Sequence, residues 1–477
     1  MSSKVLAKLL KCHGTYYLYD TNRNEVLRIS EKQYDAIEHY LKGKDTFEDQ
    51  IIIEQFQKNG YLSNKHVNKI EHSENDLLPF YLQGSMEAIV LQVTQQCNFR
   101  CEYCVYSGNY FDRIHSSKRM SKDIAFKAID FLFTHSKNNE RISIGFYGGE
   151  PLLEFKLVED CMKYAKGRGE GKEVEFLITT NGYLLNDKVV QFLSQYNVLI
   201  TVSLDGPQFI HDGHRKLAKN GEGTYAKIIE NLKNIRNNYP ELYDNIIFNA
   251  VVDTKNDYYE LDKFFTQNEL VKDSTTIISP ISTVNRKEKL QQGKEYFLDQ
   301  EYERFKLMFQ LINGKRELSK MIDNFYVNIF NFSDLMQESD RLPDKFQHNG
   351  PCIVGSKKLF ISTDGLFFPC EKCCESSESM NIGDINSGFQ LEKIRMLLNL
   401  GQLTKEKCKN CWAIRLCSIC PGLLELNHGD ITPESKEKIC KETLEAVEEQ
   451  LLDYCTLRDF GYNFQEETWV DDISEVD

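Results

Sequence analysis

The 477-residue chain lacks any apolar run approaching the ~18–20 residues needed to cross a bilayer, although 41% of its residues are hydrophobic. Its first residues, MSSKVLAKLLKCHGTYY, hold an apolar stretch too short and too interrupted for a secretory signal. Both absences lead to the expectation of a cytoplasmic protein with no membrane partner. A basic excess is lacking as well. Lys and Arg number 58 against 72 Asp and Glu, a formal charge of −14, which argues against nucleic acid because phosphate binding needs basic surface. There is no internal repeat and no low-complexity tract. Cysteine is missing from the whole stretch between Cys161 and Cys352. That gap is informative because the chain has fifteen cysteines, with three at Cys97, Cys101 and Cys104 and nine from Cys352 to Cys440. Disulfides are disfavoured in the cytoplasm, so the clustering points to metal sites.

Five parts can be drawn along the chain. Residues 1–80 read as a small unit of strands (TYYLYD, EVLRIS) and two helices. The first helix opens on the capping-box pair Ser30 and Gln33, and both helices are closed by a glycine. This composition suggests a winged-helix-like module, with HSENDLLP (72–79) as a linker. Residues 84–310 alternate between strand-length apolar runs (AIVLQVT, ISIGFY, VEFLITT, VLITVSL, NIIFNAVV, TTIISPI) and helix-period segments. Six strands alternating with helices imply an α/β fold with a parallel sheet, open or partly closed into a barrel. Residues 311–350 read as a helical bridge, 351–455 as a cysteine-rich domain and 456–477 as an acidic, solvated tail.

In such sheets the site lies at the C-terminal ends of the strands. There the motifs fall in order: CNFRCEYC (97–104) after the first strand, GGEP (148–151) after the second, TNG (180–182) after the third and SLDGP (203–207) after the fourth. Three thiols in a C-x3-C-x2-C pattern are one more than a redox pair needs and one fewer than a closed tetrahedral site needs. They suit a four-iron cluster with one open iron. A zinc site missing a ligand is the alternative, and neither His348 nor His428 makes a zinc-type pair with the later thiols.

C-x3-C-x-Tyr-C after the first strand of a β/α repeat resembles the radical S-adenosylmethionine superfamily. The resemblance implies a partial (β/α)6 barrel and a [4Fe-4S] cluster on Cys97, Cys101 and Cys104. The open iron would bind S-adenosylmethionine, whose reductive cleavage yields a 5′-deoxyadenosyl radical. It further implies that Gly148, Gly149 and Glu150 receive the cofactor's amino group. Thr180, Asn181, Ser203 and Asp205 would line its ribose and methionine moieties, Arg215 would hold its carboxylate, and Tyr103 would lie beside adenine.

Cys352-x12-Gly365-x4-Cys370, followed by Cys408-x2-Cys411-x5-Cys417-x2-Cys420 and Cys440, resembles the SPASM extension, which binds two auxiliary [4Fe-4S] clusters, for three in all. The usual pattern has three residues before Cys420, where this chain has two. By resemblance, Cys408, Cys411, Cys417 and Cys440 ligate the outer cluster. Cys352, Cys370 and Cys420 ligate the inner one, and CEKCC offers Cys373 or Cys374 to complete it, or leaves an iron open to a substrate thiolate. Glu371 stands where related sulfatase-maturing enzymes place a base. The front module resembles the recognition element of ribosomal-peptide maturases, and its offsetting charges (Lys32, Lys42, Lys44 and Lys58 against Asp35, Glu38, Asp45, Glu48 and Asp49) disfavour DNA. The length and layout look like the sactipeptide and ranthipeptide maturases. The expected partners are therefore a Cys-rich precursor peptide, its leader bound at the front module, and a flavodoxin or ferredoxin-type electron donor. Thioether formation is the expected reaction. Carbon–carbon crosslinking and side-chain oxidation are alternatives, and a zinc-binding winged-helix regulator is the reading from another class.

Overall fold

The computed structural model describes residues 5–464 apart from 170, 316–318, 338, 340 and 427–428. His428 and, of the tail expected over 456–477, residues 465–477 lie outside the described residues; residues 456–459 are not a solvated tail but the end of the helix Pro433–Asp459, with Leu457 buried. No helix among those described is long and apolar enough to cross a membrane.

The front unit is an antiparallel meander of β1 (Ala7–Cys12), β2 (Thr15–Asp20) and β3 (Glu25–Ile29), followed by helices Glu31–Leu41 and Phe47–Lys58. Strand β1 is an addition to the sequence reading, since AKLLKC is poor in the β-branched and aromatic residues that announce a strand. The Ser30 capping box is present: Gln33 N–H donates to Ser30 Oγ at 3.3 Å and Ser30 N–H to Gln33 Oε1 at 2.8 Å. Thr46 caps the second helix in the same way. One face of the sheet packs on these helices through Leu18, Ile29, Ile37 and Ile53. The other face, with Leu10, Tyr17 and Tyr19, packs on Phe332, Leu416, Val447 and Leu451 from the C-terminal third. Next comes the short strand β4 (Lys69–Ile70). The segment 72–79, expected to be a linker, leads into helix Leu78–Gly84, whose Leu78 and Leu82 are buried in the main core.

Strands β5 (Ala88–Thr94), β6 (Arg141–Gly148), β7 (Glu173–Thr180), β8 (Val198–Ser203), β9 (Ile246–Val252) and β10 (Thr276–Pro280) are all parallel and adjacent in sequence order. Each matches one of the six apolar runs to within a residue or two. Strictly sequential order winds the sheet one way, which is the topology of a partial barrel and not of a doubly wound sheet. The inward periodicity is plain in β7, where Val174, Phe176, Ile178 and Thr180 are buried.

The cysteine-rich region does not stand apart from this sheet. After β11 (Lys345–Phe346), which pairs with β4, strand β12 (Leu359–Ile361) pairs in parallel with β5. Antiparallel strands β13 (Leu366–Phe368), β14 (Gly383–Asp384) and β15 (Gly388–Phe389) follow, giving a ten-stranded sheet. Leu359, Phe360 and Ile361 are fully buried, so the junction is hydrophobic core. The long helix Pro433–Asp459 then runs back to the front sheet, with Lys8 Nζ 2.7 Å from Glu448 Oε2.

Asp20 closes the front unit. Its buried carboxylate accepts Arg23 N–H at 3.0 Å and Leu62 N–H at 2.6 Å. Asp20→Ala strands both donors, and each unsatisfied buried group costs about 1–3 kcal/mol. Chemical denaturation is expected to show that loss, and an unchanged midpoint would refute the tie.

Candidate active site

The loop that leaves β5 is pinned on both flanks. Gly149 N–H donates to Thr94 O at 2.8 Å and Glu150 N–H to Gln96 O at 2.9 Å, which clamps the end of β6 to the start of the cysteine loop. A Cβ on Gly148 would fall 2.1 Å from Thr94 O, and one on Gly149 2.2 Å from Gln96 O. Gly148 also has a φ of +139°. Both glycines are therefore required by backbone approach alone. On the other flank, Arg100 N–H donates to Lys216 O and Ala218 N–H to Asn98 O, so the loop pairs with the chain just past Arg215.

Cys97, Cys101 and Cys104 are brought together on this loop, half-buried and free of disulfides. Phe99 N–H donates to Cys97 Sγ at 3.3 Å and Tyr106 N–H to Cys104 Sγ at 3.5 Å. Burial, Glu150 and the other two thiols push Cys97 up, and burial pushes Cys101 up to about 12 and Cys104 up as well. Without a cation these sulfurs stay protonated. A metal would reverse that, and the two N–H···S bonds would favour the thiolate.

Glu150 joins the GGEP and TNG motifs. It is fully buried; Oε1 accepts Thr180 Oγ1–H at 2.8 Å and Leu152 N–H at 3.0 Å, and Oε2 accepts Asn181 N–H at 2.8 Å. Burial still wins, and its carboxyl is pushed up to about 7. Asn181 Nδ2 donates to Asn98 Oδ1 at 2.8 Å and lies 3.8 Å from Cys97 Sγ.

Asp205, Arg215 and Tyr103 form a second knot. Arg215 Nε and Nη2 grip the two oxygens of the fully buried Asp205 at 2.8 and 3.0 Å, and Val251 N–H adds a bond of 3.0 Å. Tyr103 O–H donates to Asp205 Oδ2, and its ring lies 5.4 Å under the guanidinium. Burial pushes the Asp205 carboxyl up, but Arg215 and the other donors together hold it below the ordinary carboxylate value. Ser203 is buried beside this knot at the end of β8.

The later cysteines sort into two groups by which thiols act on one another. Cys370 and Cys420 raise Cys352; Cys370 and Cys420 also raise Cys373, whose Sγ is 3.8 Å from that of Cys370. Cys374 turns away, with its thiol 3.1 Å from Ser376 Oγ and under the influence of Asp112. Cys408 and Cys440 act on Cys411, Cys411 and Cys408 act on Cys417, and Cys408 acts on Cys440. Among the described residues, no three Cys, His, Asp or Glu side chains close on a single metal ion. A cubane cluster holds its thiolates wider apart than one ion does.

Glu371 sits between the two regions. Its Oε1 is 3.4 Å from Lys358 Nζ, while Oε2 is buried with no hydrogen-bond partner, and its charge reaches Tyr147 near the end of β6. Arg113 carries no motif and is visible only in the fold. It donates from Nη2 to the carbonyls of Glu371 and Cys373 at 2.8 and 2.9 Å, and its Nε lies 2.6 Å from Glu375 Oε1. This buried arginine ties the extended cysteine loop to CEKCC. Beside it, Gln95, Asp112, Asp364, Phe368 and Glu375 line a cavity of about 280 Å³. That is just under the ~300–1,000 Å³ of ordinary ligand pockets, so it has room for a side chain and not for a whole cofactor.

Residues 91–257 match the family described as the Radical SAM superfamily. The chain is 23% identical over 459 residues to a radical SAM cyclopropyl synthase, TigE, of Paramaledivibacter caminithermalis, covering 90% of this chain and 91% of that one. It is 26% identical over 351 residues to a cysteine-type anaerobic sulfatase-maturating enzyme of Clostridium novyi, covering 70% of this chain and 87% of that one. Among solved structures, native anSMEcpe with bound AdoMet shares the fold, with a TM-score of 0.57 at 19% identity over 78% of this chain and 98% of that one.

Replacing Arg215 leaves the Asp205 charge buried without its partner. Arg215→Met is expected to cost about 3–5 kcal/mol by anaerobic denaturation, and Arg215→Lys, which cannot bind both oxygens in one plane, recovers only part of it. Full stability of Arg215→Met would show that the pair does not hold the knot.

Proposed function

We propose that this chain, which carries a radical SAM domain over residues 91–257, is a maturase that makes a new bond oxidatively within a peptide. The observation that carries the reading is a loop of three gathered thiols at the barrel mouth, backed by two groups of four thiols each. The donor set fits. Cys97, Cys101 and Cys104 offer three soft ligands and two N–H···S bonds to a [4Fe-4S] cluster. Glu150, short of charge compensation, fits the ammonium of S-adenosylmethionine, with Gly148 and Gly149 shaping its approach and Thr180 and Asn181 fixing its carboxylate. Tyr103, Ser203, Asp205 and Arg215 supply the opposite wall. Cys408, Cys411, Cys417 and Cys440 suit an outer auxiliary cluster, and Cys352, Cys370, Cys373 and Cys420 an inner one, with Cys374 a bystander. When bound, these groups supply a 5′-deoxyadenosyl radical for hydrogen abstraction and a sink for the remaining electron.

The chain's own residues do the rest. Bond formation releases a proton from the substrate, and Glu371 Oε2, buried and unpartnered, accepts it. The cavity beside Arg113 seats the reacting side chain. The front module, winged-helix-like in layout, offers the outer edge of β3 to the leader segment, which adds there as a strand. A flavodoxin or ferredoxin-type protein delivers the initiating electron.

Two observations bear on the bond. Cys373 lies near Cys370 and Cys420, so that with Cys352 four protein thiols are at hand for the inner cluster and none of its irons would need a substrate thiolate, and a relative aligned over nearly its whole length is named a cyclopropyl synthase. Both favour a carbon–carbon bond. A thioether to a cysteine of a Cys-rich precursor is the second reading, favoured by the motif layout shared with thioether-forming maturases.

Joint replacement of Cys97, Cys101 and Cys104 by Ala is expected to abolish cofactor cleavage while leaving about eight irons per chain; cleavage that persists would refute the assignment. Cys373→Ala is expected to alter the spectrum of the inner cluster and Cys374→Ala to leave it unchanged; the reverse would exchange their roles. Incubation with the precursor encoded beside the gene should remove two hydrogens per bond. If the peptide's cysteines all still react with alkylating agent, the bond is carbon–carbon. If one is lost per bond, it is a thioether. A new carbonyl trapped by hydrazide would show side-chain oxidation instead.

A further inference from the structure

Lys436 is 1% exposed, yet it lies in the first turn of helix Pro433–Asp459. Burial without an anion is costly for an ammonium. The first turn is also the positive end of the helix dipole, where a cation is disfavoured. No carboxylate relieves it among the described residues: the adjacent Glu437 pairs outward with Lys407 at 2.7 Å. Lys436 Nζ instead donates to Thr404 Oγ1 at 2.7 Å and to Cys408 Sγ at 3.1 Å. Its charge also reaches Cys411, Cys417 and Cys440, so it faces all four thiols of the outer group. The neighbouring His348 is buried, with neither ring nitrogen hydrogen-bonded, and supplies no counter-charge. A set of thiolates would supply the anion that this lysine lacks.

The inner group is different. Beside Cys370 stands the Glu371 carboxylate, already offset by Lys358 at 3.4 Å. Lys372 also reaches Cys420, but from an exposed position. The inner thiols therefore see a paired carboxylate and a cation that water screens, and the outer thiols a buried cation with no carboxylate partner among the described residues.

Resting on the ligand sets proposed above, we propose that Lys436 is a positioning residue of the outer cluster that raises its reduction potential above that of the inner one. Reduction adds one negative charge to a cluster. An ammonium hydrogen-bonded to a ligating sulfur stabilises that form more than the oxidised one. Electrons removed from the substrate thus have a downhill direction, from the inner group to the outer.

The test is an anaerobic redox titration of the reconstituted full-length chain, with each reduced cluster followed by its paramagnetic signal. In Lys436→Met the outer midpoint should move to lower potential while the other two stay put. An unmoved outer midpoint overturns the proposal. Should Lys436→Met lose the outer irons, Lys436→Arg decides. Iron retained at a near-native midpoint upholds the need for charge, and loss in both variants reduces Lys436 to a packing residue and overturns it. Joint replacement of Cys411 and Cys440 by Ala separates the two claims. If it does not lower the iron count by about four, the outer ligand set itself is wrong and the proposal falls with it.

Discussion

The active-site end of the barrel depends on one buried ion pair. Asp205 loses all its water, a cost of several kcal/mol for an isolated charge. The structure offsets that cost with four donors drawn from separate segments: Nε and Nη2 of Arg215, the hydroxyl of Tyr103 and the amide of Val251. Those donors come from the end of β9, the cysteine loop and the chain that pairs with it, and the carboxylate itself from just past β8. A carboxylate that must gather them thereby fixes the loop against two strands. Glu150 repeats the device on the other side, binding β6 to β7 through Thr180 and Asn181. The two acids differ in outcome. Asp205 has a cation and is held low. Glu150 has only neutral donors and is pushed up to about 7. Of the two acids, only Glu150 has no ion pair among the described residues.

Much of this was legible before any coordinates. The six strands announce themselves through short apolar runs rich in β-branched and aromatic residues, and the motifs mark the C-terminal ends of the first four. The division of the later cysteines into two groups comes from the family resemblance and not from their spacing, since only two residues separate Cys417 from Cys420. What could not be read is long-range. Nothing in Leu359–Ile361 says that it will pair with β5, and nothing in DRIHSS marks Arg113 as the residue that reaches CEKCC. Adjacent Cys373 and Cys374 are indistinguishable as letters; only the turn of the loop sends one sulfur toward Cys370 and the other toward Ser376. The expected linker at 72–79 failed for a related reason. LLPFYLQG is short and proline-bearing, so its apolar residues look incidental until the core that receives Leu78 and Leu82 is seen.

The junction of β12 with β5 fixes the cysteine-rich region against the barrel. In a protein whose auxiliary domain hung on a flexible linker, the distance between the cysteine loop and the later thiols would vary. Here the two are joined by ladder hydrogen bonds and fully buried side chains, with Arg113 as a strut across the mouth. Close-packed interiors transmit little slack. The backbone of Glu371, held by Arg113, is therefore fixed relative to the cysteine loop.

The front module is fixed as firmly, and to an informative place. Thr21 Oγ1 donates to Trp412 O at 2.6 Å, Arg415 Nε donates to Thr21 O at 2.8 Å, and Tyr19 meets the Trp412 ring edge-on at 6.2 Å. Trp412 and Arg415 lie between Cys411 and Cys417, in the loop that joins two thiols of the outer group. The sheet that would take the leader is thus packed on the loop that would hold the outer cluster, and its remaining face is covered by its own helices. Only its edges are left for an extended peptide. A leader held at such an edge starts from a fixed distance to the barrel mouth. The reach from leader to modified residue is then set by the peptide's own length and not by movement of the enzyme.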